Sequence, residues 1–167
     1  MNAIDTDMIA APVTLDEAMH FAWLEADLLD SAAYDEWQAL WTPTARYVVP
    51  IAPGVTDFEN TLNYAYDDAE MRAKRAERLV SGQSVSASPV ARTVRLLSRF
   101  RLLRSDREGC HLRCAQMLTE FRRGRERTYA ADVEFVYVRK PEGLRIERKV
   151  VRLVNGAEAL GGIGYIL

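Results

Sequence analysis

The chain has 167 residues, close to the size of one domain, and its apolar share of 49% is enough to build a core. No run of eighteen apolar residues occurs, and Met1 to Pro12 lacks the basic flank and long apolar stretch of a signal peptide, so a cytoplasmic protein with no membrane span is expected. The net charge of −2 conceals an asymmetry, with fourteen acidic side chains and only Arg46 in residues 1–70, against ten acidic and twenty-one basic ones in residues 71–167. Nineteen of the twenty-two basic residues are Arg, which suits bidentate pairing with carboxylates better than the Lys-rich coat of a nucleic-acid binder. The two halves are expected either to face each other within the fold or to meet across a subunit contact.

Residues 1–13 read as a flexible lead, and residues 14–167 as a single α+β domain. Thr14-Leu15-Asp16-Glu17 has the form of a capping box, in which a hydroxyl and a carboxylate three apart satisfy the first free amides of a helix. The apolar positions of that helix are Ala18, Phe21, Ala22, Leu24, Leu28 and Leu29. Beyond Ser31 a second short helix is predicted over 34–41, ended by Thr42-Pro43. A β-prone segment at 45–49 closes on Pro50, and Ala52-Pro53-Gly54 opens a loop that runs to Thr61. The next helix is predicted over 68–79, with Asp67 as N-cap, Glu70 in the first turn, and Arg72, Lys74, Arg75 and Arg78 toward its negative end, before Ser81-Gly82 breaks the pattern.

From Arg92 the period changes to two, and extended segments are predicted at 93–104, 110–121, 128–138 and 144–154. The polar turns between them are of hairpin length, so the strands should pair antiparallel as a meander, with 163–167 as a candidate edge. Helices first and a long meander last argue for helices packed on a long, curved antiparallel sheet. On the first of these strands Val94, Leu96, Ser98, Phe100 and Leu102 should form the core face. Arg95, Leu97, Arg99, Arg101 and Leu103 should form an arginine-striped outer face, paired with Asp132, Glu134 or Glu147 or kept for an interface.

Candidate metal ligands are few: His20, His111, Cys110 and Cys114. In a strand the two cysteines point to one face and His111 to the other, so three of them cannot converge on one ion, and the thiols read as buried and unbridged. Neither the paired Cys and His spacing of a Rieske cluster nor the two histidines and carboxylate of a mononuclear iron site is present. The glycines at 156, 161, 162 and 164 do not open a helix after a strand, which excludes a dinucleotide loop. No aromatic residues interleave the arginine stripe, which argues against nucleic acid. A cup of this kind can host acid–base chemistry, but alternation sends Asp132 and Glu134 outward and leaves Tyr47, Tyr129 and Tyr137 as inward polar groups without a base.

The segments Tyr34-Asp35-Glu36-Trp37-Gln38-Ala39-Leu40, Tyr47-Val48-Val49-Pro50 and Tyr66-Asp67-Asp68 are followed by Met71-Arg72-Ala73-Lys74-Arg75-Ala76-Glu77-Arg78-Leu79 and Pro89-Val90-Ala91-Arg92-Thr93. In that order and spacing the chain resembles the small (β) subunit of aromatic-ring-hydroxylating, Rieske-type dioxygenases from Ala26 to its C-terminus. It departs from the family's Ser-Asn-Val strand, since Ser98 is followed by Arg99-Phe100. The resemblance implies a cone like that of nuclear transport factor 2, and a structural subunit with no catalytic, cofactor or metal residue of its own. The large (α) subunit would carry a Rieske [2Fe-2S] cluster and mononuclear Fe(II), fed from NAD(P)H through a reductase, in a hexamer of three large and three small chains. Asp67, Asp68, Arg72, Arg75 and Arg92 match the family's motif and, with Arg99 and Arg101, take interface or structural roles. The alternative in another class is a stand-alone isomerase, dehydratase or ligand-binding protein of the same cone fold.

Overall fold

A computed structural model of the chain describes residues 11–81, 91–156 and 166–167. The elements are α1 (Leu15–Asp30), α2 (Tyr34–Ala39), β1 (Trp41–Pro50), β2 (Asn63–Asp67), α3 (Ala69–Val80), β3 (Arg92–Ser105), β4 (Gly109–Arg122), β5 (Arg125–Lys140) and β6 (Gly143–Leu153). The strands form one sheet in the order β2-β1-β6-β5-β4-β3, antiparallel throughout except where β6 lies parallel to β1. The meander from β3 to β6 needs only tight turns, whereas a parallel neighbour needs a long connection, supplied here by everything between β1 and β6.

Thr14 caps α1 through its hydroxyl, which accepts the Glu17 amide at 3.1 Å. Ala18, Ala22, Ala26 and Leu29 carry the buried stripe, while Leu24 is 44% exposed, so the apolar face is narrower than its residue count suggests. Val13, placed in the lead by the sequence, is buried; its amide donates to the Asp106 carbonyl at 3.1 Å and its carbonyl accepts the Ser105 hydroxyl at 2.6 Å. Residues 1–10 and the candidate edge at 163–165 lie outside the described residues, but Ile166 and Leu167 are buried. Among the described residues no helix is long and apolar enough to cross a membrane.

Four expectations need correction. The second helix stops at Ala39 and Trp41 opens β1, because Trp41 pairs with Ile146 and packs its ring against Trp37 and Tyr47, a burial that outweighs one more helical turn. Pro43 is tolerated in β1 because the register with β6 shifts between Trp41 and Arg46, where no amide donor is needed. Residues 63–67, outside any predicted element, form the short edge strand β2, with Tyr64 and Tyr66 outward and Ala65 and Asp67 inward. The N-cap of α3 is Asp68, whose carboxylate accepts the Met71 amide at 2.9 Å, while Asp67 ends β2 and turns inside.

The fourth correction reverses a face. Arg95 is buried and Leu97 half-buried, whereas Val94 and Leu96 are 54% and 65% exposed. Asp30, at the end of α1, holds both the Arg95 guanidinium and its amide, the latter at 2.8 Å, which draws this arginine inward. Alternation then switches at Arg99, which has a φ of +57° and sits in a bulge between Ser98 and Arg101, so Phe100 and Leu102 pack on the core. The same Asp30 contact covers part of the β3 edge, whose free amides would otherwise invite pairing with another strand.

Candidate functional site

The inner face of the sheet, under α1 and α2, is where an enzyme of this shape would keep its reacting groups, and a fully buried carboxylate–ammonium pair lies there. Glu25 projects from the buried stripe of α1 and Lys149 from the inward side of β6, with side chains 2% and 0% exposed. The ammonium donates to Glu25 Oε1 and Oε2, both at 2.9 Å, and to the Leu167 carbonyl at 3.1 Å. Trp37 Nε1 donates to Glu25 Oε1 at 3.0 Å. The Tyr47 hydroxyl closes the network, accepting the Leu167 amide at 3.0 Å and donating to its carbonyl at 3.3 Å. Burial holds the Lys149 pKa below its ordinary value, and the Glu25 charge offsets part of that effect.

Tyr47, Tyr129 and Tyr137 do point inward, as alternation required. Desolvation raises the Tyr47 and Tyr137 phenols, so both stay protonated, and the Tyr137 hydroxyl is buried with no hydrogen-bond partner among the described residues. Cys110 and Cys114 are free and buried, and desolvation pushes their thiols up to about 11 and about 12. A thiol held protonated is a poor nucleophile, and a carboxylate whose two oxygens serve a lysine and an indole is not a free base. Sequence reasoning missed the Glu25–Lys149 pair. Its signal was present in Glu25 falling on the stripe of Ala18, Ala22, Ala26 and Leu29, and in Lys149 alternating with Val151 and Leu153.

Of the motif residues, Asp67, Asp68, Arg72 and Arg75 converge where β2 turns into α3. Arg75 forks onto Asp67 with Nε to Oδ2 at 2.6 Å and Nη2 to Oδ1 at 3.0 Å, and this hydrogen bond raises the guanidinium pKa. Arg72, 1% exposed, donates to the Ala45 carbonyl at 2.8 Å and lies 4.4 Å from the centroid of the Trp41 ring. Burial brings its pKa down to about 10, against the pull of Asp67 and Asp68. The Met71 amide bond lowers the Asp68 carboxyl in turn. The cluster ties α3 to β1 and β2 and turns these charges inward.

Arg92, Arg99 and Arg101 stand apart from that cluster, exposed on β3, and among the described residues no hydrogen bond or ion pair engages their side chains. Their predicted partners are committed elsewhere. Arg113 forks onto Asp132, with Nε contacts of 2.9 and 3.0 Å, His111 Nε2 lies 2.8 Å from Glu134, and Glu147 accepts from Thr42 and Thr44. Arg99, Arg101 and Arg113 border a groove of about 460 Å³ on the outer face, with Ala115, Met117 and Ala130 also lining it.

The charge asymmetry is partly resolved inside the chain, since Glu17–Arg139, Glu25–Lys149, Asp30–Arg95 and Asp67–Arg75 each join an acid from the first half to a base from the second. For a metal, the donors present do not fit. Cys110 and Cys114 face inward, His111 faces outward against Glu134, and His20 sits exposed on α1, 2.9 Å from the Asp16 carbonyl. Among the described residues no three His, Cys, Asp or Glu side chains come together as a metal site.

Residues 24–157 match the family described as the ring hydroxylating beta subunit. The chain is 30% identical over 142 residues to the small oxygenase component of the p-cumate 2,3-dioxygenase system of Pseudomonas putida, an alignment covering 84% of this chain and 79% of that one. It is 31% identical over 110 residues to a benzene 1,2-dioxygenase subunit beta of the same species, covering 59% of each chain. Among solved structures, the beta subunit of the benzoate 1,2-dioxygenase of Burkholderia mallei superposes with a TM-score of 0.72 at 20% identity, over 99% of this chain and 100% of that one. A protein described as NTF2-like with a cystatin-like fold, from Novosphingobium aromaticivorans, gives 0.60 at 15% identity, over 84% and 82%. At these identities the superpositions establish the fold, helices on a curved sheet in the nuclear-transport-factor-2 manner.

Proposed function

The chain belongs to the ring-hydroxylating beta-subunit family, and we propose that it is the assembly subunit of a Rieske non-haem iron oxygenase that adds oxygen to an aromatic compound. In this reading the isolated chain has no catalytic role. A large (α) subunit holds the Rieske [2Fe-2S] cluster and the mononuclear Fe(II), electrons arrive from NAD(P)H through a reductase, and three small chains join three large ones.

The observation that carries the reading is the inner face. Its carboxylate–ammonium pair is fully buried and bonded to itself, to Trp37 and to Leu167, and Glu120, which alternates inward with Gln116 and Leu118 on β4, is buried and partnered as well, so among the described residues no free base is directed at a ligand. The rival isomerase or dehydratase requires a free inward carboxylate or imidazole, and both histidines lie off that face. In the test, the chain is produced alone and together with its large subunit, and mass, iron content and turnover of an aromatic substrate with reductase are measured. The expected result is a stable iron-bearing complex that turns over, and an isolated chain that does neither. Turnover by the isolated chain, or failure to purify with the large subunit, overturns the proposal.

A further inference from the structure

Resting on the assembly reading, we infer that small chains join head to tail: the outer face of β3 and β4 of one copy seats the acidic α1–α2 corner of the next. The outer face is built by register. Arg92 lies opposite Phe121, Val94 opposite Thr119, Leu96 opposite Met117 and Arg101 opposite Arg113, all pointing away from the helices. Leu96 is 65% exposed, and Val94, Met117 and Phe121 about half exposed, a contiguous apolar strip. Elsewhere on the same side the chain covers itself. The Arg152 guanidinium donates to the Val55 carbonyl at 2.8 Å and lies over the Phe58 ring, and Val150, two residues before it, is 2% exposed. Over β3 and β4 no such cover exists among the described residues.

The choice of occupant comes from charge. The strip is flanked by Arg92, Arg99 and Arg101, which have no acidic partner among the described residues. After the four internal ion pairs are made, the acids left exposed and unpaired near the N-terminal helices are Asp27 on α1 and Asp35 and Glu36 in the first turn of α2. Leu24, 44% exposed and three residues before Asp27, gives that corner an apolar contact of its own. α1 packs on the inner side of the sheet and the arginines stand on the outer side, and among the described residues no hydrogen bond or ion pair joins the two patches within one chain. They complement each other between chains, with apolar area at the centre and opposite charges around it. Such a contact is heterologous, so it closes as a ring or grows as a filament, and a ring of three is the closure the assembly reading calls for.

The test measures the mass of the full chain by light scattering, alone and in complex with the large subunit, for wild type, Arg99→Glu/Arg101→Glu, Asp35→Arg/Glu36→Arg, and the variant that carries all four substitutions. Wild type is expected as a multimer. Each double variant should fall to the 18.9 kDa single chain or lose at least tenfold in self-affinity, and the fourfold variant should recover association, because every contact of its ring is then reversed on both sides. Recovery also shows that the substitutions leave the chain folded. Unchanged mass in both variants overturns the docking mode and leaves the assembly reading standing, and so does a variant that loses only the large subunit while still self-associating. A wild type that never self-associates, with or without the large subunit, overturns both.

Discussion

Replacing Lys149 by Met should be among the most damaging single changes in this chain, and the structure says why. The substitution keeps the aliphatic volume against Phe135 but strips the ammonium from Glu25, which is 2% exposed and would keep only the Trp37 indole. Removing one partner of a buried pair costs about 3–5 kcal/mol, because the remaining charge must protonate or draw in water. In a domain of this size about 1 kcal/mol moves the melting temperature by roughly 2–4 °C, so a fall on the order of 10 °C is expected in calorimetry. The double variant Glu25→Leu/Lys149→Met should recover most of it, leaving the unpaired indole at about 1–3 kcal/mol. A single variant within 1 kcal/mol of wild type, or a double variant no better than the single, would refute the account of the pair.

Four further outcomes follow from particular contacts. Gly109→Ala should open the β4–β5 pairing, because an added Cβ would lie 2.0 Å from the Tyr137 carbonyl oxygen, and the loss of about 1–3 kcal/mol would be read by urea unfolding; wild-type stability would contradict it. Thr14→Ala should cost about 1 kcal/mol through the lost cap on α1, with Thr14→Ser close to neutral in the same assay. Arg72→Lys keeps a charge but loses the planar stacking on Trp41, and should lower the melting temperature even though net charge is unchanged. Both cysteines should resist a thiol reagent at pH 8 in the native chain and react together once it is unfolded, since burial keeps them protonated; rapid native labelling would show the inner face to be open.

Much of the architecture was legible because it rests on local chemistry. The capping residue before α1, the long period-two segments and the polar turns between them are written in neighbouring residues, and the meander is what such segments do when the turns are short. The family motif was legible in the same way, as residues in order, and the inward tyrosines followed from alternation along β5. The short strand β2 was not, because five residues ending in an aspartate carry too little alternation to distinguish an edge strand from a loop. Alternation also failed along β3, where period two is a local rule and the choice of which face turns inward is not.

By itself the sequence determined the helices α1 and α3, the antiparallel meander from β3 to β6 and the lack of a metal-ligand spacing, all of which depend on residues close together along the chain. The tertiary structure alone decided which charges are spent inside. Asp30 meets Arg95 across 65 positions and Glu25 meets Lys149 across 124, and no local pattern reaches that far. Burial makes those distant choices, because a charge taken from water must find its partner wherever the fold brings one.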